Sequence, residues 1–129
     1  MKLSKQMLII GTVIGVVLIS IIVFKIKGDG TEAVGKYDSL AKCLAGNGVK
    51  MYGAYWCPHC NNQKQMFGKS WKYINYIECS LPNRGGQVQI CNQAGIKAYP
   101  TWEFQDGRRI EGELTFEQIM GYSNCQMEA

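Results

Sequence analysis

The chain has 129 residues, 47% of them apolar, and a formal charge of +4 at neutral pH. The basic excess is local. Of 14 Lys and Arg, Lys2, Lys5, Lys25 and Lys27 bracket one apolar run, and the other ten are matched by ten Asp and Glu, so nothing points to nucleic acid.

Residues 1–6 read as an N-terminal tail. Met7 to Phe24 is a run of 18 residues without a charge. As a helix it spans ~27 Å, close to a hydrocarbon core of ~30 Å. The run exceeds the ~7–15 apolar residues usual in a signal peptide, and Phe24-Lys25-Ile26-Lys27 offers no small-residue cleavage site. Residues 7–26 are therefore expected to form a retained single-pass transmembrane anchor, with its lysines at headgroup level. Lysines on both sides leave the orientation undecided, but six cysteines in about 100 residues suit an oxidising compartment. The C-terminal domain is expected outside the cytoplasm, on the periplasmic or other extracytoplasmic face of the cell membrane. Residues 27–35, with Gly28-Asp29-Gly30-Thr31, read as a linker, and 36–129 as the folded domain.

Tyr37 to Ala45 reads as a helix with Leu40 and Leu44 on one face, ended by Gly46-Asn47-Gly48. Val49 to Tyr55 reads as a buried strand, rich in apolar and aromatic residues. Cys57 to Phe67 reads as a helix, with Pro58 in the first turn, where a missing N–H costs nothing. Tyr73 to Cys79 alternates as a second strand, and the helical crossover makes this pair parallel. Leu81 to Gly86 is rich in turn residues, and Val88 to Ala94 is a short helix ended by Gly95. Thr101 to Gln105 and Arg108 to Glu111 form a hairpin about a two-residue Asp106-Gly107 turn. Thr115 to Tyr122 is the last helix, with Thr115 and Gln118 spaced for a capping box. The sum is an α/β domain whose mixed sheet starts parallel and ends in an antiparallel hairpin.

Chemistry concentrates in Tyr55-Trp56-Cys57-Pro58-His59-Cys60. Cys57 falls at a helix N-terminus, where free N–H groups and the positive end of the dipole favour the thiolate that disulfide exchange requires. His59 can bring a cationic or N–H-donating ring near the Cys57 sulfur. That would stabilise the reduced form and make the pair a strong oxidant. Cys57 is expected to be the exposed attacking sulfur, and Cys60 the buried resolving one. Structural zinc is disfavoured, because there is no second CxxC and His59 is the one histidine. Cu(I) on Cys57 and Cys60 is a more serious rival, but it would want a further ligand, for which Met51 and Met66 are on offer. No metal and no bound cofactor is expected beyond a redox-active Cys57–Cys60 disulfide.

Met51 to Cys60, Lys64, Phe67-Gly68, Tyr76 to Cys79, Ala94-Gly95-Ile96 and Tyr99-Pro100-Thr101-Trp102 together resemble one family. It is the thioredoxin-like domain fused to bacterial vitamin K epoxide reductase homologues. The resemblance runs from roughly Leu40 to Tyr122. It implies a thioredoxin-like fold, with a mixed four-stranded sheet flanked by helices and here preceded by one transmembrane helix. It also implies disulfide exchange at Cys57 and Cys60 and a cis peptide before Pro100. In such proteins that proline faces the CxxC and the adjacent backbone takes the substrate as an added strand, which makes Tyr99, Pro100 and Trp56 substrate-site residues. The resemblance further implies a Cys79–Cys91 pair, as a structural disulfide or as an electron relay. Cys43 and Cys125 fall outside the family pattern. A bridge between the first helix and the C-terminal tail is the economical reading, with free thiols or an intermolecular bond as alternatives.

Two departures stand out. The family carries its quinone-reducing helices in the same chain, so here a separate membrane quinone-linked thiol oxidase of vitamin K epoxide reductase type would have to reoxidise the dithiol. Thioredoxins also place a buried acid where this chain has Met51, which leaves the proton route to Cys60 open. The expected activity is oxidation of dithiols in exported cysteine-containing proteins. A reductase or isomerase of the same fold, or a non-catalytic Cu(I)-binding domain, is the alternative.

Overall fold

The computed structural model describes residues 5–26 and 34–127, with side chains in the first stretch described for residues 9–21. The chain divides into two compact units, Met1–Ala33 and Val34–Ala129.

The first unit contains α1 (Lys5–Ile26), 22 residues long. Its described isoleucine, valine and leucine side chains stand between 49% and 63% exposed. Among the described residues, no helix is long and apolar enough to cross a membrane. Those side chains cover 9–21 and not the whole of the expected 7–26 span. Residues 1–4 of the expected tail and 27–33 of the expected linker lie outside the described residues.

The second unit is the expected α/β domain. Its elements are α2 (Asp38–Gly46), β1 (Lys50–Gly53), α3 (Pro58–Phe67), a 3-10 helix (Gly68–Tyr73) and β2 (Asn75–Glu78), then α4 (Gln89–Gln93), β3 (Thr101–Glu103), β4 (Arg109–Glu111) and α5 (Phe116–Ser123). A one-turn 3-10 segment (Pro82–Arg84) lies in the loop after β2. The four strands form one sheet in the order β2-β1-β3-β4. β1 pairs parallel with β2 and antiparallel with β3, and β3 pairs antiparallel with β4. The mixed four-stranded sheet is therefore as expected.

Successive residues of a strand point to opposite faces. Met51 accordingly enters one hydrophobic cluster with Leu40, Leu44, Val49, Phe67, Trp102 and Ile119. Its neighbour Tyr52 enters the other, with Cys79, Cys91 and Ile96. Each face of the sheet thus has its own core. A buried glutamine braces the larger one: Gln63 Oε1 accepts from Leu114 N–H at 2.8 Å and Trp102 Nε1 at 3.3 Å, while its Nε2 donates to the Leu114 carbonyl at 3.1 Å.

Two expectations need correction. The second strand begins at Asn75 rather than Tyr73, because a 3-10 helix occupies Gly68–Tyr73. Gly68, at φ 55°, ends α3 and lets the chain rewind, and Trp71 and Tyr73 then pack on the core. The hairpin is also wider than a two-residue turn. Gly107 N–H donates to Phe104 C=O, and Phe104 N–H to Arg108 C=O, so Gln105 and Asp106 form the turn and Gly107, at φ 80°, follows it. Asp106 Oδ1 accepts from Arg108 N–H at 2.9 Å, which favours this form.

Two disulfides are present, Cys43–Cys125 and Cys79–Cys91, and Cys57 and Cys60 are free thiols.

Candidate active site

β1 ends at Gly53, and the Cys57 N–H donates to the Ala54 carbonyl at 3.0 Å, turning the chain toward α3. Pro58 occupies the first helical position and Cys57 the N-cap, with φ −79° and ψ 120°. The Cys57 sulfur takes the role of a capping oxygen, accepting from the Cys60 N–H at 3.5 Å. Placement of the dithiol at the N-terminus of α3 is therefore as the sequence indicated.

Cys57 is not exposed. It retains 6% of its accessibility against 0% for Cys60, so the expected exposed attacking sulfur is a nearly buried one. The reason is the segment opposite: Cys57 Sγ–H donates to the Tyr99 carbonyl at 3.6 Å. The Tyr99–Pro100 peptide is cis, and Pro100 is fully buried. Trp56 completes this rim, edge-on to the Tyr99 ring at 6.1 Å and held by Nε1 donating to Ser80 Oγ at 2.7 Å. The Arg84 guanidinium lies 5.5 Å above the Trp56 ring, and Gln87 Nε2 donates to Tyr99 Oη at 2.6 Å. Cys57, Cys60, Trp56, Tyr99 and Pro100 are thus brought together.

His59 has a partner that the sequence did not indicate. Its Nδ1 is 2.5 Å from Glu113 Oε1, in the segment between β4 and α5, and its side chain is 68% exposed. Asn62 Nδ2 donates to the same oxygen at 3.0 Å. The His59 bond, and then the Asn62 bond, hold the Glu113 carboxyl below its ordinary pKa.

Burial pushes the Cys60 thiol up to about 12, while a backbone bond at Ala54 and the Lys64 charge act in the opposite direction. No acid occupies the thioredoxin position, since Met51 is fully buried in the apolar core. An acid arrives instead from β2. Glu78 Oε1 accepts from the backbone N–H groups of Tyr55 and Ser80 at 3.1 and 2.9 Å, and Oε2 accepts from the Tyr76 hydroxyl at 2.8 Å. Lys64 Nζ lies 4.0 Å over the Tyr76 ring. Burial, then the bond to Glu78, raises the Tyr76 phenol above its ordinary pKa. Tyr76 and Glu78 have a place in the family resemblance but no role there, although strand alternation puts both on one face and the parallel register sets them beside Met51 and Gly53.

The remaining four cysteines form the two disulfides. Cys79–Cys91 belongs to the smaller hydrophobic cluster, and Tyr99 packs against both clusters. At Cys43–Cys125, Asn47 Nδ2 donates to the Ser123 carbonyl at 3.2 Å and lies 3.4 Å from Cys125 Sγ. Among the described residues, no group of three or more His, Cys, Asp or Glu could hold a metal ion. Met66 Sδ accepts from Gln63 Nε2 at 3.8 Å.

No family model matches the chain. It is similar to the thiol-disulfide oxidoreductase LTO1 of Arabidopsis thaliana, with 41% identity over 86 residues, which is 63% of this chain and 22% of that protein. The chain thus spans about a fifth of the length of this curated relative.

Proposed function

We propose that the domain is a protein thiol–disulfide oxidoreductase that oxidises dithiols of exported proteins by exchange at Cys57 and Cys60. The observation that carries this reading is the Cys57 sulfur at the N-cap of α3, facing the Tyr99 carbonyl before a cis-proline, with Cys60 one turn behind and buried. The name of the relative supports the activity. A substrate thiolate attacks Cys57 Sγ of the oxidised pair, breaking its bond to Cys60 and leaving Cys60 to take a proton. The second substrate thiolate then attacks the substrate sulfur of the mixed disulfide and releases the Cys57 thiolate. Two electrons have moved to the enzyme.

The backbone of the Tyr99–Pro100 segment, with Trp56 beside it, receives the substrate chain. A separate membrane quinone-linked oxidase of vitamin K epoxide reductase type recovers the electrons. The domain is held to the membrane by α1, whose exposed apolar side chains at 9–21 continue in sequence into the uncharged run Met7–Phe24. It lies on the extracytoplasmic side, where two further disulfides persist.

Two measurements test the proposal. The Cys57–Cys60 reduction potential should lie well above about −270 mV, the range of thioredoxin; a value there or below would make the domain a reductase. In cells, Cys60→Ala should accumulate mixed disulfides through Cys57 that a reductant dissolves. Their absence from a folded, exported variant defeats the exchange mechanism.

A further inference from the structure

We infer that Tyr76 and Glu78 form the proton path of Cys60, taking the place of the acid that Met51 displaces. The inference rests on the exchange reading above and names how its buried sulfur is served. Cys60 is fully buried, yet in each cycle it must gain a proton when the Cys57–Cys60 bond breaks and lose one when that bond reforms.

The space for such a transfer is left by Gly53. A Cβ built there would meet Cys60 Sγ at 2.9 Å, Tyr76 Cε2 at 2.8 Å and Tyr76 Oη at 3.2 Å. Thiol and phenol therefore border the same small gap, opened by the absence of a side chain in β1. Beyond the phenol the path is explicit, since Tyr76 Oη donates to Glu78 Oε2 at 2.8 Å. The other carboxylate oxygen is fixed by two backbone N–H groups, so the acceptor is pre-oriented. Lys64 above the Tyr76 ring places a positive charge where negative charge passes.

During reoxidation, Cys57 is in a mixed disulfide with the electron acceptor. The Cys60 S–H bond breaks and its proton goes to Tyr76 Oη, directly or through one water. The Tyr76 proton passes in the same step to Glu78 Oε2, so no phenolate accumulates. The Cys60 thiolate attacks Cys57 Sγ, the internal disulfide forms, and the acceptor leaves as a thiolate. Glu78, only partly buried, returns the proton to water. Substrate oxidation runs the path in reverse, from Glu78 through Tyr76 to the departing Cys60 sulfur.

The test uses the full chain with Cys57 loaded as a mixed disulfide with a chromogenic aromatic thiol, whose release by Cys60 is followed by stopped flow across neutral pH. Tyr76→Phe and Glu78→Gln should each slow release at least about tenfold. Both should gain a dependence on hydroxide that the wild type lacks, and imidazole buffer should restore part of the rate in Glu78→Gln. A variant that merely loosened the fold would not acquire this buffer dependence. Folded variants that release the thiol at the wild-type rate, with the wild-type pH profile, overturn the relay alone. A wild-type protein that leaves the mixed disulfide intact overturns the exchange reading and the relay with it. Should either variant fail to fold, the wild-type proton inventory in mixed light and heavy water decides. A curved inventory supports two protons in flight, and the absence of any solvent isotope effect overturns the path.

Discussion

At the level of single residues, His59 shows how a motif can name a side chain without placing it. Its position between two thiols is a local fact, whereas its partner, the Glu113 carboxylate, arrives from the other end of the domain. No local pattern signals a partner 54 positions away. The pairing makes a titration prediction. Because Glu113 is held below its ordinary 4.5, the contribution of its bonds to stability is fully present above that value and is lost as pH falls through the lowered one. His59→Ala should move the Glu113 carboxyl back toward 4.5 in an NMR titration, and Asn62→Ala should move it less. Equal shifts would show that His59 is not the main holder. Cys57 was legible as the N-cap because Pro58 and the helix start are local signals. Its near burial was not, because the Tyr99 carbonyl that meets it comes from far along the chain.

Elements were legible where punctuation is chemical. Thr115 accepts from the Gln118 N–H, and the Gln118 side chain accepts from the Thr115 N–H, so both halves of the expected capping box form. Thr115→Ala should cost about 1 kcal/mol in urea unfolding. It should leave the reduction potential of Cys57–Cys60 unchanged, since Thr115 touches neither sulfur. Helix type was less legible. Tyr73 and Ile74 satisfy an alternating pattern as well as a 3-10 turn, and only the packing of Trp71 and Tyr73 on the core distinguishes the two. The same holds for the hairpin, where Asp106-Gly107 announced a turn but Asp106 bonding to Arg108 decided its width. A role for Tyr76 and Glu78 stayed hidden for a related reason. Their faces follow from the strand, but their neighbours follow from a register that the length of the intervening helical connection determines.

For the molecule as a whole, the mixed sheet, with its parallel first pair and its closing hairpin, followed from element order and crossover rules, whereas the strand order β2-β1-β3-β4 and the pairing of β1 with β3 did not, and the core follows the alternation of β1. The bridge between Cys43 and Cys125 had been one of several open alternatives, since nothing near either cysteine identifies its partner. The two disulfides close loops of very different size, with sequence separations of 82 and 12. In the chain-entropy model, losing the first costs roughly 4.5 kcal/mol and losing the second roughly 3. Cys43→Ser with Cys125→Ser should therefore lower the urea midpoint more than Cys79→Ser with Cys91→Ser. The reverse order would mean that the smaller core depends on its disulfide for packing.

The long separation of the Cys43–Cys125 bond also governs when it can form. On a ribosome the chain emerges in order, so the bond between Cys79 and Cys91 can close while its neighbours are still being made. Cys43 must wait until residue 125 has appeared, and during that interval it shares the growing polypeptide with Cys57 and Cys60. The chain thus spends its own synthesis with the Cys43 thiol unpartnered alongside Cys57 and Cys60, and its correct covalent pattern is completed last.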